Sequence, residues 1–426
     1  MENIIYQSIE NYLASVKRIS SYEKIVLNVL SEMQQGFLRL ILPNSKVITL
    51  GNETSSIKAT INIINPKFFK KCVLHGDIGF GESYVDGDWE TDNLTSVIKW
   101  FLLNIDNAPS ISGSKRKLLP VNFLKTINRI SHLVRSNTII GSKKNISAHY
   151  DLNNEFFSLF LDSTMTYSSA YFKGRSPLFH ENYELEQAQK AKYERLCRIM
   201  QLQSTDHILE IGSGWGGFAF YAAKNYGCKV TTITISKEQF EFVEHKIAEE
   251  GLTNKIEIRL EDYRNITGEY DKIISIEMLE AVGHKFLKTY FKKCQQLLKK
   301  NGMLGLQVIT CPDSRYDSLR KSVDWIQKHI FPGSLLPSIG AINDAIHKTG
   351  NMFLYDVKDF GIDYSKTLAI WKKNFNQKLS QVRELGFDEI FIRKWNYYLS
   401  YCEAAFAMKN ISVVQMVYTR PNNVVL

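Results

Sequence analysis

At 426 residues, 44% hydrophobic and 23% charged, the chain has the composition of an ordinary globular protein and is long enough for two or three domains. No apolar run approaches the roughly 18 residues that cross a bilayer, and the mixed charges of Glu2, Glu10, Lys17 and Arg18 argue against a signal peptide, which places the protein in the cytoplasm. The net charge of +9 points to an anionic partner, either nucleic acid or an anionic membrane surface.

Residues 1–106 read as a small α+β unit. Helical patterning around Tyr22–Leu40 leads into strand-like runs at Lys46–Leu50 and Ser56–Ile64. A Gly/Asp-rich stretch follows, from Gly76 through Gly79 and Gly81 to Asp86, Gly87, Asp88 and Trp89, and reads as turns. From Asn107 to Tyr150 there is no Asp or Glu, yet eight basic residues occur: Lys115, Arg116, Lys117, Lys125, Arg129, Arg135, Lys143 and Lys144. Within it Leu124, Ile127, Ile130 and Val134 recur at helical spacing, with Lys125, Arg129 and His132 off that stripe. Such a basic amphipathic helix, assigned to residues 107–144, can be a linker packed on a neighbouring domain, a helix lying in a bilayer interface or a nucleic-acid contact; the first two are compatible.

From residue 145 to 426 the pattern is α/β. Strand-like runs at His207–Ile211, Lys229–Thr234, Lys255–Leu260, Asp271–Glu277 and Met303–Thr310 are separated mostly by helical segments, Phe218–Asn225, Lys237–Glu250 and Lys285–Lys300. That alternation implies right-handed crossovers and a doubly wound parallel sheet. A last strand, Ser412–Thr419, follows an aromatic-rich insertion over about residues 311–410. The six cysteines (Cys72, Cys197, Cys228, Cys294, Cys311 and Cys402) show neither CxxC nor Cys/His ligand spacing, so neither a disulfide framework nor a metal site is expected.

The strongest local signal runs from His207 to Gly217: an apolar strand carrying Glu210, a turn with Gly212, Gly214 and Gly216, then a helix. The glycines can adopt positive φ and let a ligand approach the backbone. Ligands of such sheets bind at the carboxyl ends of the strands. The E-x-G-x-G-x-G pattern is not the G-x-G-x-x-G fingerprint of dinucleotide folds, and it favours S-adenosylmethionine (SAM). At the end of the next strand Thr234 stands where a ribose-binding acid is usual, and Thr234 with Gln239 can still hydrogen-bond a ribose.

With these segments in order, the chain resembles the cyclopropane-fatty-acid synthase family of SAM-dependent methyltransferases, which includes phospholipid and mycolic acid enzymes. The resemblance spans roughly residues 75 to 420 and rests on His149-Tyr-Asp-Leu-Asn-Asn154, Met165-Thr-Tyr-Ser-Ser-Ala-Tyr171, Leu209–Gly217, Thr234–Ser236, Asp262–Arg264, Glu277-Met-Leu-Glu-Ala-Val-Gly283, Ile330–Gly333, Leu336–Ser338, Phe360–Tyr364 and Tyr397–Phe406. Gly79–Gly87 in the first unit also looks similar. It implies a class I methyltransferase sheet with a smaller N-terminal α+β domain associated with lipid or membrane. Cofactor contacts would fall on Tyr167, Ser168, Glu210, Gly212, Gly214, Gly216, Thr234, Gln239, Asp262 and Tyr263.

The reaction it implies begins with an alkene carbon attacking the SAM methyl; a proton then leaves the new methyl and a cyclopropane closes. In the family the base is a bound bicarbonate, and the matching positions here are Ser169, Glu280, Gln307, Ile309 (through its backbone) and Tyr364. Ser169 stands where many relatives have cysteine, and Gln307 where many have histidine. An alkene is a poor nucleophile, so the site must align it with the methyl and exclude water. The aromatics of the insertion (Trp325, Phe331, Phe353, Tyr355, Phe360, Tyr364, Trp371, Phe375) suit an apolar, cation-tolerant pocket, although most such rings are ordinary core. Cys402 matches a family cysteine described as active and fits a buried structural thiol equally well.

Two alternatives stay open. The same cation could lose a proton from the chain instead, giving a methylene or methyl branch; or the fold could serve a non-catalytic lipid-binding protein. A nucleic-acid methyltransferase would carry an Asn/Asp-Pro-Pro-aromatic loop where this chain has Glu277–Glu280, so nucleic acid is not the expected partner. The expected partners are an unsaturated phospholipid in a bilayer and an anionic membrane surface, with the protein peripheral on the inner membrane. The resemblance further suggests a homodimer.

Overall fold

The computed structural model describes residues 6–16, 18–107, 153–172 and 181–424, which form two compact units. The basic stretch with its apolar stripe, and the segment His149–Leu152, lie outside the described residues.

The first unit holds the described residues up to 107 together with Asp317–Ile330 and Gly386–Asn410. Its sheet has the order β1 (Tyr6–Gln7), β3 (Val47–Gly51), β2 (Phe37–Ile41), β4 (Lys58–Ile63) and β5 (Trp89–Glu90), parallel at β1–β3 and β2–β4 and antiparallel elsewhere. Strand β2 lies inside the span read as helical. The helix Ser21–Ser31 is capped by Ser20 and stops, and from Phe37 onward burial alternates, with Leu38 and Leu40 inside, a period-two pattern.

The Gly/Asp-rich stretch is likewise not a set of turns. It belongs to a helix, Lys67–Val85, broken at Gly76, where φ is +57. Glycine is tolerated there because neighbours approach closely: a Cβ on Gly81 would lie 2.5 Å from Trp325 and 2.8 Å from Tyr397. Packing overrides propensity. The same contact draws two segments of the 145–426 division into this unit. Arg393, on helix Glu389–Ala407, donates to the Tyr84 carbonyl, the Trp89 carbonyl and Glu90, and its guanidinium covers the Tyr84 ring.

The second unit is built on a seven-stranded sheet ordered β11 (Phe353–Asp359), β12 (Ser412–Thr419), β10 (Leu298–Thr310), β9 (Tyr270–Ile276), β6 (His207–Ile211), β7 (Lys229–Thr234) and β8 (Ile256–Leu260). From β10 to β8 all neighbours are parallel, whereas β12 runs antiparallel to both β10 and β11. This is the expected doubly wound sheet, with one strand, β11, hidden in the insertion. Apolar runs such as Ile208–Leu209 and Leu304–Leu306 are fully buried because helices, among them Gly217–Tyr226, Lys237–Glu249 and Leu287–Leu297, supply the two cores that cover its faces. The chain moves outward from β6 through β7 to β8, then returns to β9 on the other side of β6. The carboxyl ends of β6 and β9 therefore form the crevice where such sheets bind ligands. No helix among the described residues is long and apolar enough to cross a membrane.

Candidate active site

Strand β6 ends in the glycine turn. Gly212, Gly214 and Gly216 all take positive φ, +96, +50 and +85. They divide the work. A Cβ on Gly216 would strike Phe220 at 2.6 Å, so this glycine serves helix packing, whereas a Cβ on Gly214 would meet nothing within 4 Å. The turn thus leaves an open cradle at the switch point, and this fits the expected SAM. Gly212 is bounded by Met278, 3.1 Å from a Cβ built there, so the loop after β9 forms its wall.

The other expected cofactor residues are placed less directly. Thr234 donates to Gln239 at 2.9 Å, so the two proposed ribose partners hold one another. Asp262 is clasped by Arg264 at 2.6 and 2.8 Å. Tyr263 lies edge-on to Tyr290. Glu210 is buried, accepts from Thr232 at 2.6 Å, and desolvation pushes its carboxyl up to about 8. Ser168 accepts from the buried ammonium of Lys192, and Tyr167 lies against Phe157 and Trp371, ring centroids 5.2 Å away in each case.

The residues expected to hold a base do converge, around a side chain the sequence reading left without a role. Glu277 follows β9, with φ +50, a conformation that costs a non-glycine residue of the order of 1–3 kcal/mol. Its Oε1 accepts from the Ser169 N–H at 2.8 Å and from Gln307 Nε2 at 2.7 Å; its Oε2 accepts from the Tyr364 hydroxyl at 2.8 Å. Gln307 is fully buried on β10, and Gln415 of β12 donates to its Oε1 at 3.1 Å, turning the amide so that its N–H faces Glu277. Gln415 is held in turn by Arg195 at 3.1 Å, and Arg195 pairs with Asp356 of β11. Ser169 contributes its backbone; its hydroxyl turns to the Ala170 carbonyl. Burial raises the Glu277 carboxyl, while the positive charge of Lys192 and the three donors oppose that rise. Desolvation likewise depresses the Lys192 ammonium, which Glu277 and Asp162 hold up.

Glu280 lies one short turn further on. Its Oε1 accepts from the Ile309 N–H at 2.5 Å, while its buried Oε2 meets no donor among the described residues. Desolvation, reinforced by the charge of Glu277, pushes its carboxyl up to about 8. The bicarbonate implied by the resemblance does not fit this arrangement. Among the described residues, Ser169, Gln307 and Tyr364 already bond Glu277, and Ile309 bonds Glu280, so a further anion would face the Glu277 carboxylate with only the acid proton of Glu280 to receive it.

Tyr364 and Trp371 stand edge to face, centroids 6.1 Å apart, and Tyr167, Phe160 and Phe375 continue the aromatic wall. Other rings of the insertion do not join it. Phe353 and Tyr355 are exposed on β11, and Trp325 belongs to the first unit. Cys402 is also in the first unit, where burial raises its thiol far above the usual range, as for an inert structural cysteine. All six cysteines are free.

Residues 138–416 match the family model described as mycolic acid cyclopropane synthetase. The tuberculostearic acid methyltransferase UfaA1 of Mycobacterium tuberculosis is 37% identical over 81% of this chain and 79% of its own length. The cyclopropane-fatty-acyl-phospholipid synthase of Escherichia coli is 36% identical over 86% of this chain and 89% of its own. Among solved structures, the cyclopropane synthase MmaA2 of Mycobacterium tuberculosis superposes with a TM-score of 0.59 at 28% identity, covering 65% of this chain and 98% of that one. The mycolic acid cyclopropane synthase CmaA1, complexed with SAH and CTAB, gives 0.59 at 29% identity over 65% and 98%. With its sheet order, its open glycine turn and a match over most of its length, the chain belongs to the mycolic acid cyclopropane synthetase family of SAM-dependent methyltransferases.

Proposed function

We propose that this enzyme builds a cyclopropane ring across the cis double bond of unsaturated phospholipid acyl chains. The observation that carries the reading is the buried Glu277–Gln307–Tyr364 cluster beside the open glycine turn, in a chain 36% identical to a cyclopropane-fatty-acyl-phospholipid synthase. Bound against Gly212 and Gly214, SAM supplies an electrophilic methyl. Tyr167, Tyr364 and Trp371 keep water from the cationic chain and offer it their ring faces. The buried carboxyl cluster that follows β9 supplies the proton acceptor. Incubation with labelled SAM and unsaturated phospholipid vesicles, followed by mass and double-bond analysis, tests this: a gain of one methylene with loss of the double bond is expected. Absence of label in every acyl chain offered would refute it.

A second reading follows from the likeness to UfaA1, named a tuberculostearic acid methyltransferase. Loss of a chain proton instead of a methyl proton leaves a methylene branch, and the same analysis separates the products.

The double bond lies several carbons down the acyl chain, so the enzyme must either draw the lipid out or dock on the bilayer, and docking is the reading proposed. The acid-free stretch containing Lys115, Arg116 and Lys117 is the proposed contact, on the cytoplasmic face of the inner membrane, with each cation contributing about 1 kcal/mol near an anionic leaflet. Reversing these three to Glu should abolish flotation with anionic vesicles at low salt; unchanged flotation would leave the stretch as a linker. The homodimer suggested by resemblance is checked by sedimentation.

A further inference from the structure

We propose that Glu277 is the base of this reaction, a carboxylate built into the chain where a dissolved anion would otherwise be needed. The inference rests on the alkylation reading above. Three features carry it.

The first is reach. Gly212 and Met278 are in near contact across the ends of β6 and β9, which places Glu277 one residue from the wall of the cofactor turn. The second is preorganisation. Three donors, from the segment after residue 168, from β10 and from helix Gly361–Gln377, hold its two oxygens, and the Gln307 amide is itself locked by Gln415 and Arg195. A carboxylate has about four acceptor sites, so three donors leave roughly one lone pair on Oε2 for a proton. The third is strain. Positive φ at Glu277 is retained although glycine would relieve it, as is common where backbone geometry serves a site. The buried Lys192 favours the anionic form.

The step balances without an added reagent. The π pair of the acyl double bond forms a bond to the methyl carbon as the C–S bond breaks, its pair remaining on sulfur. Glu277 takes one proton from that carbon, and the released C–H pair closes the ring on the cationic carbon. The carboxyl later returns the proton to water, so one proton is released per turnover.

The test uses the full-length enzyme with unsaturated phospholipid vesicles in carbon dioxide-free buffer. Wild type is expected to turn over equally with and without added bicarbonate. Glu277→Gln should lose about a hundred- to ten-thousand-fold in turnover, the range of a lost general base, with SAM affinity unchanged by calorimetry. Glu277→Gly, which the positive φ accommodates, opens a carboxylate-sized space; added bicarbonate or formate should restore part of its turnover. Carbon-13 NMR should show labelled bicarbonate binding to Glu277→Gly and not to wild type. Wild-type turnover that collapses without bicarbonate and returns with it would overturn the proposal while leaving the alkylation reading intact. So would Glu277→Gln retaining more than a tenth of wild-type turnover. Wild type that labels no lipid sinks both readings.

Discussion

Glu280→Gln is expected to stabilise the enzyme, and increasingly so as pH rises. The carboxyl is 7% exposed, bonded only at Oε1, and raised from 4.5 to about 8 by burial and by the charge of Glu277. Its folded value exceeds its unfolded one, so the folded state holds the proton more tightly. Stability is therefore lost progressively as pH rises above about 4.5, and the loss levels off above about 8. At pH 7 the 2.5-unit gap corresponds to ~3 kcal/mol at most, and near pH 5 to less than ~1 kcal/mol. Glutamine carries no such penalty: its Oε1 keeps the Ile309 N–H and its amide takes the place of the protonated oxygen. The amide brings two hydrogens where the acid has one, so a realised gain of about 1–2 kcal/mol at pH 7 is reasonable. Denaturant unfolding of both proteins at pH 5, 6, 7 and 8 measures it. The difference should widen steadily with pH, and turnover at pH 7 should stay within about tenfold of wild type, since the acid is already neutral there. A stability difference that is flat across this range, or that favours wild type at pH 8, would refute a protonated Glu280.

Three further outcomes are expected. Gly214→Val should abolish SAM binding in calorimetry with little change in secondary structure, because it puts a branched side chain at φ +50 into the one open cradle of the turn. Gln415→Leu should lower turnover about tenfold without changing SAM affinity, because the Gln307 amide loses the partner that fixes its orientation; an unchanged rate would show that Gln307 orients itself. Arg393→Ala removes a guanidinium that meets two carbonyls, Glu90 and the Tyr84 ring, and should destabilise the first unit by about 2–4 kcal/mol in denaturant unfolding, with SAM affinity intact.

The catalytic sheet was legible because its strands are buried on both faces. Short runs rich in apolar and β-branched residues, such as His207–Ile211 and Lys229–Thr234, carry no competing signal, and their bounds agree with the structure residue for residue. Strand β11 was not legible: Phe353, Tyr355 and Val357 are exposed at a sheet edge, where burial does not impose a pattern. The helix around Gly79 and Gly81 was hidden because only close approach explains its glycines, Gly81 against Trp325 and Tyr397 and Gly79 against Lys71 and His75 beyond the break at Gly76. In the site, Ser169, Gln307 and Tyr364 are legible by resemblance, whereas their common partner Glu277 has no role that the resemblance implies, although it opens the Glu277–Gly283 motif. The departures at Ser169 and Gln307 were the available signal. An anion site whose donors have changed invites a search for an acid nearby in the chain, and Glu277 stands three residues before Glu280.

The first unit closes over segments that the ribosome makes long after its sheet. Arg393 reaches Glu90 across 303 residues of sequence, and helix Glu389–Ala407 supplies Trp395 and Tyr397 to the same core. At roughly 5–20 residues per second, the sheet of the first unit waits on the order of half a minute during synthesis before that helix emerges. During that interval the apolar face that later meets the helix is exposed, while the second unit, interrupted by the same segments, is also incomplete. Cutting the gene after residue 106 or 144 would make the wait permanent. A fragment designed on the linear division should be insoluble alone and rescued when residues 386–410 are supplied in trans.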